Sequence, residues 1–375
     1  MTDHSKIKIS FFVPALNAGG AQKVMIDLAS ELSLEGFIAD IVLVKAQGEF
    51  LKSVPDTVHI TDLGKSRTLF SIFALAKYIR VEKPNIILST LPHANVIAIW
   101  SKILSRSYSK VIIREATLSS HIVYKTKNFL TAFISHFISR LTYSRADAIV
   151  AVSEGVANDT ISFYKTDKRK IHTINNPVDF QKISELSKHD ITHLWMNDSS
   201  IPVIVSVGRL SKEKDYPTLL RAISIVRKST PVRLIILGEG NERKFLESLI
   251  SDMALEDSVD MPGFVDNPFP YIKNASVFVM SSICEGMPNA LLQAVFLGTP
   301  AISTDCISGP NEILDGGRLG MLVEVGHPYE LSKAILKTIC SPITRSHSID
   351  PYLERYSKKN IIDSYKNLIL KYCNE

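Results

Sequence analysis

What most constrains this chain is a rhythm that runs twice. Short β-branched runs alternate with segments of helical period, falter near residue 180, and begin again. In the first cycle residues 7–14 read as a buried strand, followed by a loop carrying Gly19-Gly20. Residues 21–34 then place Ala21, Val24, Met25, Leu28, Ala29 and Leu32 on one helical face. Residues 39–45 read as a strand, and 68–81 as a helix that stops before Lys83-Pro84. Residues 85–90, 110–114 and 147–153 read as further strands, and 171–179 as a last strand entering a polar connector. The second cycle has strands at 203–207, 232–237, 276–281 and 300–304, with helices from Pro217, at 241–251 and at 289–297. Such alternation implies parallel sheets wrapped by helices.

At 375 residues the chain is too long for one ordinary core and suits two. The expected fold is α/β, with two doubly wound Rossmann-like domains facing across a cleft. Ligands then sit outside the carboxyl ends of the strands. The expected division is 1–178, a connector at 179–200, a second domain at 201–350, and a terminal helix within 351–375 that can cross back to the first domain.

Composition excludes several classes. Apolar residues at 45% and charged residues at 22% are those of an ordinary globular chain and leave no disordered stretch. The cysteines at 284, 306, 340 and 373 form no Cys-x-x-Cys pair and have no histidine cluster beside them. Neither a zinc site nor a disulfide framework is expected, and Cys284 should pack as a small hydrophobe. Lys6 and Lys8 before an apolar run mimic a short signal peptide, but Pro14 interrupts it, and a first strand explains it better. No window has ~18 uninterrupted apolar residues, and the nearest, 86–104, contains Pro92, His93 and Lys102. A cytoplasmic location is expected.

Charge is uneven. Residues 65–146 hold 13 Lys and Arg against two acids, Glu82 and Glu115, in a chain of net +5. Within that stretch 128–141 alternates aromatic and apolar residues at helical spacing. Taken singly, a core helix and a solvated basic face are the commoner accounts; together the two features lead to an expectation of peripheral contact with an anionic membrane. No nucleic-acid partner is expected.

Three constellations carry chemistry. In the first, Gly208-Arg209 and Lys214 occupy a loop between a strand and a helix, where an arginine fork and a lysine point charge suit the charge that builds on a departing diphosphate. The second, Glu285-Gly286-Met287-Pro288-Asn289-Ala290, runs through a glycine turn into a helix whose first N–H groups can meet an anion. Glu285 would be repelled by phosphate and is better suited to sugar hydroxyls, while Gln293, further along the helix, can reach a ribose. In the third, Gly19-Gly20 precede a helix and would let a backbone approach a ligand closely. The Gly-x-Gly-x-x-Gly fingerprint of dinucleotide enzymes is absent, since Arg243 holds the third position after Gly238 and Gly240.

In this order and at these separations the motifs resemble family 4 of the retaining glycosyltransferases, of GT-B fold. Leu237-Gly238-Glu239-Gly240, Pro262-Gly263-Phe264-Val265 and Ser308-Gly309-Pro310-x-Glu312-Ile313-Leu314 strengthen the likeness. The resemblance is dense from Val203 onward and thin between Thr61 and Ala146. It implies that Arg209 and Lys214 contact the donor diphosphate, with Gly20 and Gly208 close by. Backbone near Phe264 and Val265 would meet the base, Glu285 the transferred sugar, and Gly286 to Ala290 the phosphates.

Two departures stand out. Gln293 replaces the family's second glutamate, so the ribose would be held by a neutral amide. Arg114-Glu115 follow the strand where many relatives place a histidine. Gly19, His93, Arg114, Glu115 and His121 are therefore the acceptor-side candidates.

The expected reaction is metal-independent, needs no cofactor, and moves a sugar from a nucleotide diphosphate sugar, with a UDP-sugar as expected donor. The expected acceptor is a lipid-linked glycan at the inner face of the cell membrane, in the assembly of bacterial polysaccharide or lipopolysaccharide. A nucleotide-sugar epimerase on the same architecture and a non-catalytic nucleotide- or glycan-binding module are the alternatives.

Overall fold

In a computed structural model, which describes residues 7–17, 19–120, 138–198, 200–341 and 350–374, the double rhythm becomes two separate parallel sheets. The first contains β1 (Lys8–Val13), β2 (Ile38–Leu43), β3 (His59–Asp62), β4 (Ile86–Thr90), β5 (Lys110–Glu115), β6 (Ala148–Ala151) and β7 (Ile171–Thr173). Their order is β3-β2-β1-β4-β5-β6-β7. The second contains β8 (Val203–Val207), β9 (Arg233–Leu237), β10 (Val259–Gly263), β11 (Val277–Met280), β12 (Ala301–Thr304) and β13 (Met321–Val323). Their order is β10-β9-β8-β11-β12-β13. Every pairing within both sheets is parallel.

The central strands are buried on both faces, which is why they read as unbroken apolar runs. β4 is buried throughout, as are Val203 to Ser206 of β8 and all of β11. Helices seal the faces with one apolar side each. Gly20–Leu34 inserts Val24, Met25, Leu28, Ala29 and Leu32 into the first core, and Tyr216–Val226 inserts Leu219, Leu220, Ala222, Ile223 and Val226 into the second.

Contacts divide the chain into Met1–Pro177 with Lys358–Glu375, and Val178–Ser357. The terminal helix Lys358–Asn374 therefore belongs to the first unit. It places Ile361, Ile362, Tyr365, Leu368, Ile369 and Tyr372 in the same core as the Gly20–Leu34 helix. Residues 179–200, read from sequence as a connector, instead pack as part of the second unit. Phe180 stacks on Phe296 with ring centroids 4.3 Å apart, His193 bonds Asp260 at 2.8 Å, and Asn267 bonds the carbonyl of Leu186 at 2.9 Å. Two of its apolar residues, Phe180 and Ile183, find buried places that mean polarity did not foretell.

Candidate active site

Each sheet builds outward from its first strand in one direction and then jumps to that strand's other side. Loops on either side of the jump part, and a ligand can enter between them. In the second unit the jump lies between β8 and β11, so residues 208–215 and 281–288 border it. These are the first two constellations, and the structure joins them. Lys214 Nζ meets Glu285 Oε1 at 2.5 Å, with the two side chains 21% and 12% exposed. Ser282 Oγ donates to the same carboxylate oxygen at 2.7 Å.

Backbone and small hydroxyls brace this pair. Ile283 N donates to the carbonyl of Glu213 at 2.8 Å, and Ser281 Oγ to that of Lys214 at 2.8 Å. Thr304, ending β12, donates to the carbonyl of Ser282 at 2.5 Å, and Ser308 to that of Gly286 at 2.9 Å. Gly286, Met287 and Pro288 are buried, whereas Asn289, Ala290 and Gln293 are half-buried on the helix Asn289–Phe296. No side chain caps that helix, whose amino-terminal end carries the positive end of its dipole.

Two glycines allow the loops to approach. A Cβ on Gly238, whose φ is +148°, would lie 2.0 Å from the carbonyl oxygen of Gly208. One on Gly309, with φ at +90°, would lie 2.5 Å from Pro288 Cδ. Arg209 is exposed, and among the described residues no hydrogen bond or ion pair engages its guanidinium. Phe264 is 69% exposed just after β10, followed by half-buried Val265. Burial and the charge of Glu285 push the Cys306 thiol up to about 12, which keeps it protonated and inert. A separate cavity of about 360 Å³ opens beside the same loop, between Ser211, Lys212, Asp215, Glu242 and Phe245. It contains none of Arg209, Lys214 and Glu285.

In the first unit the jump lies between β1 and β4. Gly19 and Gly20 follow β1, and His93 follows β4 at the start of the helix Pro92–Ser105. Nothing in the described chain lies within 4 Å of where a Gly20 Cβ would stand, so the space there is open. His93 is exposed, yet enough of its ring is shielded to lower its pKa below the ordinary imidazole value, which favours the neutral form.

Arg114 and Glu115 end β5 but are each only 1% exposed, so neither offers an atom to a soluble acceptor in this structure. Glu115 Oε1 accepts from Tyr143 at 2.6 Å and Asn95 at 2.7 Å, and Oε2 from Ser119 at 3.1 Å. Burial nevertheless raises its pKa above the usual carboxylate value. Arg114 donates to Asn176 and, at 3.5 Å, to Thr90. Among the described residues its Nε and the hydroxyl of Tyr365 have no hydrogen-bond partner. His121 and most of the apolar stretch at 128–141 lie outside the described residues, as does Ala18 in the glycine loop.

The sequence reading missed Ser281, Ser282, Thr304, Asn95 and Tyr143. The first two had a signal, since paired hydroxyls directly after a buried strand stand where they can orient a carboxylate three residues on. Among the described residues no group of three or more His, Cys, Asp or Glu could hold a metal ion, and no helix is long and apolar enough to cross a membrane.

Comparison with known proteins matches both halves. Residues 201–341 fit the model described as glycosyl transferases group 1, and residues 18–182 fit glycosyltransferase family 4. The chain is 28% identical over 343 residues to N-acetylgalactosamine-N,N'-diacetylbacillosaminyl-diphospho-undecaprenol 4-alpha-N-acetylgalactosaminyltransferase of Campylobacter jejuni, covering 88% of this chain and 90% of that protein. It is 24% identical to the lipopolysaccharide core biosynthesis glycosyltransferase LpsE of Rhizobium meliloti, over 94% of this chain and 96% of that protein. In fold it is similar to Anabaena HepE, solved in complex with UDP, at a TM-score of 0.79 and 18% identity, covering 97% of this chain and 100% of that one.

Proposed function

This chain belongs to the group 1, family 4 glycosyltransferases, and from that premise we propose that it moves a sugar from a UDP-sugar to a hydroxyl of a lipid-linked glycan, with retention at the anomeric carbon and without a metal. The observation that carries the reading is the Lys214–Glu285 pair, which brings a phosphate-binding cation and a hydroxyl-binding carboxylate to one strand-end junction. On donor binding Lys214 exchanges its carboxylate for the diphosphate, joined by the exposed Arg209 and the N–H groups that start the Asn289–Phe296 helix. Glu285, released but still held by Ser282, accepts hydrogen bonds from the sugar.

The bond from the anomeric carbon to the diphosphate oxygen breaks as one to the acceptor oxygen forms on the same face. The acceptor's proton passes to the departing diphosphate, so no side-chain base is needed. Charge accumulating on that diphosphate is met by fixed cations and dipoles, where such stabilisation is most effective. Phe264 and Val265 lie against the base, and Gln293 reaches the ribose. Gly20 leaves open space for a ligand at the first unit's switch point, and Gly19 and His93 serve the acceptor there. The name of the Campylobacter relative supports a polyprenyl-diphosphate glycan acceptor, and that of the Rhizobium relative a place in lipopolysaccharide assembly. The proposed place of work is the inner membrane face.

The test is release of nucleoside diphosphate from a panel of nucleotide sugars, with and without membrane lipid extract. Release of UDP from one donor, increased by lipid, is expected. Tight UDP binding with no release from any donor would leave a binding module, and an isomerised sugar nucleotide would mark an epimerase.

A further inference from the structure

The helix Ile72–Glu82 buries Leu75, Ala76, Tyr78 and Ile79. Its other face carries Lys77, Arg80 and Glu82, but two large apolar residues stand among them. Phe73 is 75% exposed and Val81 64%, while the turn Thr68–Ser71 leading into the helix adds Leu69 at 67% and Phe70 at 57%. Leu69, Phe73, Lys77 and Val81 recur at every fourth position and so fall near one stripe. Scattered exposed apolar residues need no explanation, but three large ones within five positions make a patch.

Other exposed apolar residues lie two elements away. Ser101 Oγ donates to the carbonyl of Ile72 at 2.9 Å, and the adjacent Trp100 donates to Thr142 at 3.1 Å. Exposed Ile138 and Leu141 occupy the turn that ends at Thr142. Charge around the patch has one sign. Lys65, Arg67, Lys77, Arg80 and Lys83 face a single acid, Glu82, which is already paired with Lys8 at 2.6 Å. In the chain the turn follows β3, as Gly19 and Gly20 follow β1 and His93 follows β4.

We propose that Leu69, Phe70 and Phe73, with Arg67 and Lys77 beside them, form a docking surface for an anionic lipid bilayer. A bilayer supplies phosphate at the level of the cations and hydrocarbon below it, over an area that needs no shape match. The surface would bring the first unit to the bilayer that holds the lipid-linked acceptor of the proposed function, and it rests on that reading for its purpose though not for its test.

The test is sedimentation of the full chain with phosphatidylcholine vesicles, with and without phosphatidylglycerol. Binding to the anionic vesicles alone, weakened by salt, is expected. The double change F70S/F73S should lower the partition coefficient ~10-fold or more, and R67E/K77E should lower it by a similar ~10-fold at low salt. All four sites are exposed, so circular dichroism should be unaltered. In the wild-type background F73W emission should shift to the blue on anionic vesicles. Absence of wild-type binding, or binding that neither double variant alters, overturns the proposal. So does self-association through Phe70 and Phe73 in place of vesicle binding. Nucleoside diphosphate release from the same preparations separates the two readings: release without vesicle binding sinks this surface alone, and vesicle binding without release sinks the transferase reading alone.

Discussion

The two sheets share one strand order around their switch points yet furnish those points differently. In the second unit the junction between β8 and β11 is crowded with committed side chains, from Lys214 against Glu285 to the serines that brace them. In the first unit the junction between β1 and β4 presents glycine backbone, one exposed histidine and open space, while the charged pair nearby, Arg114 and Glu115, is sunk in the core. On the proposed function, one fold would thus serve two needs. Meeting the charge of a diphosphate takes fixed groups at fixed distances, whereas an acceptor that varies between relatives needs a rigid edge with room on it.

The harshest way to test that contrast is to remove the cations. R209A and K214A should each lower kcat by ~10²-fold or more if the diphosphate charge is met there in the transition state. Initial rates of nucleoside diphosphate release check this, and near-wild-type turnover in both would remove them from the mechanism. E285Q should cost less in rate, ~10-fold, through loss of charge-assisted bonds to sugar hydroxyls. Its UDP affinity by calorimetry should be equal or tighter, because Lys214 no longer has a carboxylate to leave. Weaker UDP binding in E285Q would mean that the pair orders Lys214 rather than competes with the ligand.

Sequence carried much of this, and its failures are informative. β8 was read at its observed bounds because a strand buried on both faces is a β-branched run closed by Gly208. β3 and β13 were missed because strands of three or four residues, only partly buried, leave no period to detect. Helix Pro92–Ser105 escaped notice because it is apolar around most of its surface and carries no clear polar face. At the site, Arg209, Lys214 and Glu285 were legible as motifs. Their meeting was not, since Lys214 and Glu285 are 71 residues apart and join only through the sheet. Arg114 and Glu115 were chosen because they follow the strand where many relatives place a histidine, and nothing local in the sequence shows that Asn95, Tyr143 and Asn176 meet them in the core.

That burial yields a stability prediction for the first unit. E115L strands the donors of Tyr143 and Asn95 and should cost ~2 kcal/mol. E115Q should retain most of the bonds, its oxygen accepting from Tyr143 and Asn95 and its amide donating to Ser119. Because burial raises the folded pKa of Glu115 above 4.5, its protonated form is the one that the core prefers. Its contribution is therefore complete below that value and is lost as pH rises through the folded pKa. Thermal melts should show wild type losing stability over that rise and E115Q losing less. Equal slopes would place the titration elsewhere.

The smallest effect sharpens the contrast most. G20A meets nothing in the described chain and should alter stability by less than ~0.5 kcal/mol. If the glycine is there for a ligand, kcat/KM for the donor should still fall several-fold. An unchanged kcat/KM would make the open space incidental.

The discontinuity of the first unit has a consequence for how the protein is made. Its sheet emerges from the ribosome early, but six of its core side chains, from Ile361 to Tyr372, are synthesised only after the whole second unit. The second unit, contiguous from Val178 to Ser357, can close as soon as it is translated. The half begun first is thus completed after the other, and until those residues emerge it carries an apolar groove along the Gly20–Leu34 helix. A premature stop near residue 357 would yield a finished second unit joined to an unfinished first, and chaperones and proteases would meet that defect at the amino-terminal half of the chain.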